Sequence, residues 1–321
     1  MTFKKYLPVF ITILFIQLNY SQKITKSITY NRNKDKSVSF YYNSDTPCSV
    51  LVILKFKNLT NASGNIIKKT ITGFGGEIHT LQPIRPNKSI GFSYSAKTIF
   101  GNVNAKPNLD FKYILPFNEG KKVKVRNLNY LGEKFGNSAP KNWRSFQFLT
   151  KPNDTVIAIR KGVVIKASDG VKTDKTSRFG YKSNVNSIII EHEDGTFARY
   201  SVLKNKSIMV NVGDTVYPSA PIAIAGSYDI DENSQLRLSI YYLDKKILDY
   251  DFSKKNKENL KNKTHLNSYV DPVFFLGEGN HEKLEKNNSY IGVFNNSIIE
   301  YEMSKREKRK WKKNNLLIKK R

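Results

Sequence analysis

The sequence predicts an all-β protein made of a small N-terminal β-sandwich followed by a second, antiparallel β domain. Between residues 22 and 107, short runs of β-forming residues alternate with Gly, Pro and Asn turn signals, which is typical of a sandwich. Between residues 145 and 240, further runs rich in Val and Ile are separated by glycine turns. A chain of 321 residues is long enough for two such domains.

The N-terminus is predicted to be a signal peptide over residues 1–21. Two lysines precede an apolar run from Tyr6 to Leu18, and small or polar residues follow where cleavage before Gln22 is expected. The run is shorter than the roughly 20 apolar residues that span a bilayer, and no cysteine follows it to carry a lipid anchor. We therefore expect an exported protein with no transmembrane segment after cleavage.

Three alternating runs, at 37–42, 49–56 and 88–95, predict the strands of the sandwich. The single cysteine, Cys48, precedes the second run and cannot form an intramolecular disulfide. It is expected to be a small buried residue rather than a nucleophile. The stability of both domains must then come from their hydrophobic cores, and the sandwich itself shows no residues suited to catalysis.

The second domain, predicted over residues 108–250, contains three ordered pieces of sequence. They read SFQFLTKPNDTVIAIRKGVVI, then IIIEHEDGTFARYSVL with VNVGDTVYPSAPIAIAG, and finally QLRLSIYY. Together they resemble the catalytic domain of lysostaphin-type (LytM-like) zinc endopeptidases, which cut peptide bridges in bacterial peptidoglycan. The resemblance implies a LytM-like antiparallel β domain with a substrate groove.

That family carries its zinc and acid–base residues in H-x-x-x-D, Y-x-H-L and H-L-H motifs. The first piece matches without a gap, and Gly162 falls where the pattern expects a glycine. Tyr200 and Leu203 frame the second motif. The chemically important positions of the three motifs then hold other residues, namely Trp143, Gln147, Val202, Gln235 and Arg237.

These five residues cannot supply the family's chemistry. A catalytic zinc needs three His, Asp, Glu or Cys ligands and an open position for water. The indole nitrogen of Trp143 only donates hydrogen bonds, Gln147 offers a neutral amide oxygen, and Arg237 is a permanent cation that repels a metal. Val202 and Gln235 are not proton-transfer groups. The sequence therefore predicts no zinc or other cofactor and argues against catalysis.

The resemblance implies that the groove persists, and its candidate ligand-binding residues are Trp143, Gln147, Tyr200, Gln235 and Arg237. Arg237 is expected beside Gln235 on the groove floor, with Leu236 pointing into the core because side chains alternate along a strand. Two interpretations of Arg237 stay open: it binds a carboxylate of a ligand, or it forms a structural salt bridge.

The resemblance indicates an exported, non-catalytic, peptidase-like protein of the cell envelope that binds peptidoglycan or docks and activates a cell-wall hydrolase. Exported relatives with an N-terminal β domain favour the periplasm. One alternative is an active zinc-dependent peptidoglycan endopeptidase whose ligands lie outside the usual motif positions. Another is that the segment shares only its turns with the family.

The formal net charge of +27 predicts attraction to anionic partners. Because an exported protein rarely meets nucleic acid, envelope phosphates and cell-wall carboxylates are the expected counter-charges. Much of the excess lies in residues 305–321, where Glu307 is the only acid, so this stretch is the candidate contact with an anionic envelope surface. The abundance of Lys, Asn, Ile and Tyr offers a compositional explanation instead.

Beyond residue 250 the β pattern fades. Residues 251–267 are predicted to be a mobile Lys/Asn-rich segment, 268–280 a closing segment packed on the second domain, and 281–321 a basic tail. For the end of the tail, a solvated extension is favoured over a helix with a partly apolar face. His192, at a predicted strand end before a glycine turn, is expected to face solvent.

Overall fold

The computed structural model describes five stretches of the chain, which are residues 26–127, 143–172, 184–227, 234–249 and 266–318. Strands are the main secondary structure of the first four, and the last holds four short strands and two helices. The prediction of an all-β fold is confirmed. The predicted signal peptide and nearly all of the Lys/Asn-rich segment lie outside the described residues. No helix in the described stretches is long and apolar enough to cross a membrane.

The N-terminal region contains six strands, which are β1 (Lys26–Arg32), β2 (Val38–Ser44), β3 (Val50–Thr60), β4 (Ile66–Ile71), β5 (Gly75–Leu81) and β6 (Gly91–Phe100). They form two three-stranded antiparallel sheets, in the orders β1-β2-β5 and β4-β3-β6. Alternating residues of both sheets meet in one apolar core that includes Phe40, Val52 and the buried Cys48. The predicted sandwich is therefore present.

The next region contains eleven strands, which are β7 (Lys112–Tyr113), β8 (Lys122–Asn127), β9 (Phe146–Leu149), β10 (Thr155–Ile157), β11 (Gly162–Ser168), β12 (Ser187–Glu191), β13 (Thr196–Ser201), β14 (Thr215–Val216), β15 (Pro221–Ile224), β16 (Gly226–Ser227) and β17 (Ser234–Leu243). A 3₁₀ helix, Lys245–Asp249, follows. Most of these strands join one large sheet in the order β14-β11-β12-β13-β17-β9-β8-β21, in which the last strand, β21 (Ser289–Ile291), comes from the C-terminal stretch. Strands β10 and β15 pair separately beside it.

The C-terminal stretch adds β18 (Asn267–Tyr269), β19 (Val273–Phe275), β20 (His281–Lys283), β21 (Ser289–Ile291), α1 (Asn296–Ile299) and α2 (Lys305–Ile318). The sequence placed residue 281 at the start of a tail, whereas β20 pairs with β19 and β21 forms an edge of the large sheet. The end of the chain was expected to be a solvated extension, but it forms α2. Short strands such as SYI form because a partner strand supplies their hydrogen bonds, which local sequence does not reveal.

The two faces of the large sheet have different partners. One face carries residues such as Phe148, Ile188 and Leu236 and forms the main apolar core with β10 and β15. The other face is covered by the sandwich at β11 to β13, where Ile165 and Phe197 enter the sandwich core. The part of this second face that lies over β17, β9 and β8 is called the open face below.

Candidate functional site

Strand pairing brings the sequence-predicted groove residues together on the open face. Arg237 of β17 lies directly opposite Gln147 of β9 and opposite Ser201 of β13. Leu236, between Gln235 and Arg237, is fully buried in the main core, as the predicted alternation requires. The positions that correspond to the first and third motifs therefore meet across two adjacent strands.

One hydrogen bond joins the side chains of Gln147 and Gln235 across the paired strands β9 and β17. The Nε2 of Gln147 donates to the Oε1 of Gln235 at 2.6 Å. Gln235 is only 3% exposed, so this hydrogen bond spares a buried amide the free-energy penalty of losing water. The pair forms a neutral polar floor beside the Arg237 guanidinium.

Trp143 precedes β9 and packs its ring against Tyr269 of β18, with the ring centroids 4.7 Å apart. Tyr269 in turn lies opposite Tyr241 of β17 and has its ring centroid 5.9 Å from that of Tyr241. Sequence reasoning assigned Tyr269 to a closing segment and did not connect it with the groove. The three rings form an aromatic border at one end of the open face, where β18 joins β17.

Tyr200 does not belong to the groove, contrary to the sequence prediction. Its side chain is fully buried on the core face of β13, and its hydroxyl oxygen accepts the Ile159 backbone N–H at 2.9 Å. Burial raises the pKa of the phenol well above its usual value. The cause is strand alternation, because Tyr200 shares the core face with Ala198 whereas Ser201 points to the open face.

Val202, at the histidine position of the second motif, is buried and has a positive φ of 66°. A β-branched residue rarely adopts this backbone conformation. The Val202 carbonyl accepts the Gly226 N–H at 2.9 Å, and a Cβ on Gly226 would lie 2.7 Å from the same oxygen. The turn after β13 thus holds an apolar side chain where the family places an imidazole.

The open face does not suit a zinc ion. Among the described residues, no group of three or more His, Cys, Asp or Glu side chains is arranged to hold a metal. The donors that meet there are two neutral amides bonded to each other and a guanidinium, which carries no lone pair for coordination. The residues present therefore disagree with the metal that the resemblance implies.

The charged residues of this region instead meet below the sheet, around Arg160. Its Nη1 lies 2.8 Å from Asp194 and its Nη2 lies 2.7 Å from Glu302, with only 3% of the arginine side chain exposed. The guanidinium also stacks on the Phe111 ring at 3.8 Å, a cation–π contact. These residues, Arg160, Asp194 and Glu302, are called the arginine hub below.

The arginine hub links three segments that are distant in sequence. Asp194 lies in the turn between β12 and β13 and also accepts the Asn108 backbone N–H, which belongs to the connection after the sandwich. Glu302 lies just before α2. Burial opposes ionisation of Asp194, but the charge of Arg160 together with the hydrogen bonds from Asn108, Thr196 and Arg160 outweighs it and holds the pKa of that carboxyl below its usual value. The hub therefore holds these distant segments together, and the sequence did not predict it.

His192 is buried beside the hub, so the expectation that it faces solvent was wrong. Only 2% of the residue is exposed, and Nδ1 lies 2.8 Å from the Lys161 carbonyl. Because a carbonyl only accepts, Nδ1 carries the proton. Burial, and then the positive charge of Arg160, lower the pKa of His192 to about 3. A neutral histidine therefore packs here.

A cavity of about 680 Å³ lies between the sandwich and the large sheet, away from the open face. Several of its carboxylates are already engaged. Glu191 accepts the Ser49 backbone N–H at 2.9 Å, and Glu307 bonds to Lys161 and to the Tyr217 hydroxyl. The cavity is bordered by contacts that join regions of the fold rather than by the residues of the family motifs.

Comparison with known proteins supports the resemblance seen in the sequence. Residues 141–249 match the model of peptidase family M23. No curated protein matches the sequence. The matched residues include Gln147, Gln235 and Arg237 of the open face.

Several solved structures are similar to the chain, and three of them are described here by their identity, coverage and TM-score. The deep-sea M23 metalloprotease pseudoalterin is 14% identical, with 42% of this chain and 72% of that chain covered and a TM-score of 0.29. A zinc-containing peptidase from Vibrio cholerae is 15% identical, with coverages of 67% and 74% and a TM-score of 0.23. Csd3 from Helicobacter pylori is 10% identical, with coverages of 94% and 79% and a TM-score of 0.29.

Proposed function

We propose that this chain, whose residues 141–249 form a peptidase family M23 domain, is a non-catalytic protein of the cell envelope that binds peptidoglycan. The hydrogen bond between Gln147 and Gln235 is the observation that carries the proposal. Two side chains at motif positions are neutral amides bonded to each other, and neither is a carboxylate or an imidazole of the kind that holds a catalytic zinc.

Loss of the metal removes the source of the attacking nucleophile. Zinc lowers the pKa of its bound water from about 15.7 to near 7, and the described residues contain no cluster of three or more His, Cys, Asp or Glu side chains that could hold it. The arginine hub does contain carboxylates, but they are paired with Arg160 below the sheet and cannot act as a base for a substrate on the other face. Binding without cleavage is what this arrangement supports.

Arg237 is the residue that we assign to ligand recognition on the open face. It is partly exposed, and the planar guanidinium can bind a carboxylate through two hydrogen bonds. A charge-assisted hydrogen bond of this kind contributes about 1.5–3 kcal/mol. Peptidoglycan stem peptides offer carboxylates, and the N-terminal signal sequence would deliver the protein to the periplasm where peptidoglycan lies.

Two measurements on the purified full-length protein test this function. Metal analysis without chelators is expected to find no stoichiometric zinc, and incubation with purified sacculi is expected to release no soluble fragments. Sedimentation with the same sacculi should show saturable binding. One tightly held zinc per chain together with cleavage would establish the alternative of an active endopeptidase. Absence of sacculus binding, with retention of a hydrolase from envelope extract, would establish a docking role instead.

A further inference from the structure

Strand β8 presents a row of cations beside the candidate site. Lys122, Lys124 and Arg126 are all exposed, whereas the intervening Val123 and Val125 are buried in the main core. This alternation places the three charges on one face of the strand. Like charges two residues apart on a strand lie about 6.8 Å from each other, close enough to repel through water.

The register shows that this row continues the open face. Arg126 lies directly opposite Gln147, which in turn lies opposite Arg237. Adjacent strands are about 4.8 Å apart, so the backbones at Arg126 and Arg237 are separated by about 10 Å. We call the four residues Lys122, Lys124, Arg126 and Arg237 the cationic band. It runs along β8 and crosses β9 to reach β17.

The three β8 cations have no acidic partner among the residues that the structure describes. The ion pairs of the described stretches involve other cations, including the adjacent Lys121, which lies 2.6 Å from Asp154. The contrast between Lys121 and Lys122 shows that an acid pairs with the residue just before β8, while none of the described acids pairs with Lys122. An uncompensated row of cations favours an anionic partner.

On the basis of the proposed function, we infer that the cationic band binds the carboxylates of a peptidoglycan strand lying along β8, with Arg237 holding one carboxylate at the end of the row. An extended polymer suits the row because the charges are spaced along a straight strand. The neighbouring edge strand β21 adds the half-exposed side chain of Ile291 on the same face. Charge complementarity, rather than metal coordination, would then position the polymer.

A charge-matched pair of variants tests this inference. The band variant replaces Lys122, Lys124 and Arg126 by Gln, and the control replaces Lys55, Lys57 and Lys69, which are exposed strand lysines of the sandwich. Both lose three charges, so a general effect of net charge is the same in each. Circular dichroism and urea unfolding verify that both fold.

Sedimentation with purified sacculi is measured for both variants and for the wild type in 0.05 M and 0.15 M salt. We expect the band variant to bind at least about tenfold more weakly, because three exposed charge contacts are lost. The control should stay within about twofold of the wild type. Sacculi whose carboxylates have been amidated should bind the wild type and the band variant equally weakly.

Two outcomes would overturn the inference. If the wild type binds sacculi and the band variant binds equally well, the inference fails while peptidoglycan binding stands. If no protein binds sacculi, the proposed function fails as well.

Binding to vesicles that contain phosphatidylglycerol is measured for the same proteins. A loss of vesicle binding in the band variant with unchanged sacculus binding would assign the row to a membrane surface instead.

Discussion

The arginine hub and the open face hold their polar residues in opposite ways. In the hub, Arg160 and two carboxylates are buried and neutralise one another below the sheet. On the open face, the buried polar groups are neutral amides, and the charges are cations at the surface. The comparison teaches that the acidic and basic side chains of the hub join distant segments of the fold, whereas the cationic side chains of the open face lie where a ligand can reach them.

If the hub is structural, Arg160→Ala will be the most damaging change. Removing the guanidinium leaves Asp194 and Glu302 buried without a counter-charge, and breaking one partner of a buried pair costs about 3–5 kcal/mol. Urea unfolding measures the free energy. The control is Lys283→Ala, whose pair with Asp271 is largely exposed and should contribute under about 1 kcal/mol. Similar losses of unfolding free energy in the two variants would contradict a stabilising role for the hub.

The hub region should also make stability depend on pH, whereas the open face should not. The folded-state pKa of His192 is about 3, below the unfolded value of 6.5, so the unfolded chain binds an extra proton as the pH falls between these values. The contribution of His192 to the free energy of unfolding is therefore fully present above about pH 6.5 and decreases progressively as the pH falls from 6.5 to about 3. Between pH 7 and 5.5 the loss should be about 1.3 kcal/mol.

His192→Gln isolates this effect. The variant should show a flatter dependence of unfolding free energy on pH between 7 and 5.5 than the wild type. A slope that is unchanged in His192→Gln would show that other groups carry the pH dependence and that the buried histidine does not titrate on unfolding.

A double-mutant cycle on Gln147 and Gln235 measures the amide pair of the open face. Each single Gln→Leu change removes one partner and should destabilise the fold by about 1 kcal/mol, since the remaining amide loses its hydrogen bond. The double variant should lose less than the sum, with a coupling of about 0.5–1.5 kcal/mol. Strict additivity in urea unfolding would mean that the hydrogen bond does not contribute in solution.

Arg237→Ala should have the smallest effect on folding and a clear effect on binding. The side chain is partly exposed, so the unfolding free energy should change by less than about 1 kcal/mol. Loss of its carboxylate contact should weaken sacculus binding by roughly 10- to 100-fold. Lys55→Ala removes an exposed charge from the sandwich and is the matched control. A large loss of stability with unchanged binding would favour a structural salt bridge for Arg237.

The sequence was informative wherever the signal was local. Alternation around Leu236 predicted which neighbours point away from the core, and the run around Val50 predicted a strand of the sandwich. Tyr200 was misplaced because a motif position says which residue is present but not which face of the strand it occupies. His192 was misplaced because the Lys161 carbonyl that binds it lies 31 residues away.

By itself, the sequence determined the all-β class, the sandwich and the family resemblance, because the two-residue period of a strand and the spacing of a motif are both written in consecutive residues. Only the tertiary structure decided that Arg160 pairs with Glu302, 142 residues later, and that the cations of β8 join the row that contains Arg237. Contacts between distant segments depend on which strands pair and on what covers them. Strand pairing and burial are determined only when the whole chain folds. The sequence around a charged residue does not show whether that residue forms a buried ion pair or lies at a binding surface.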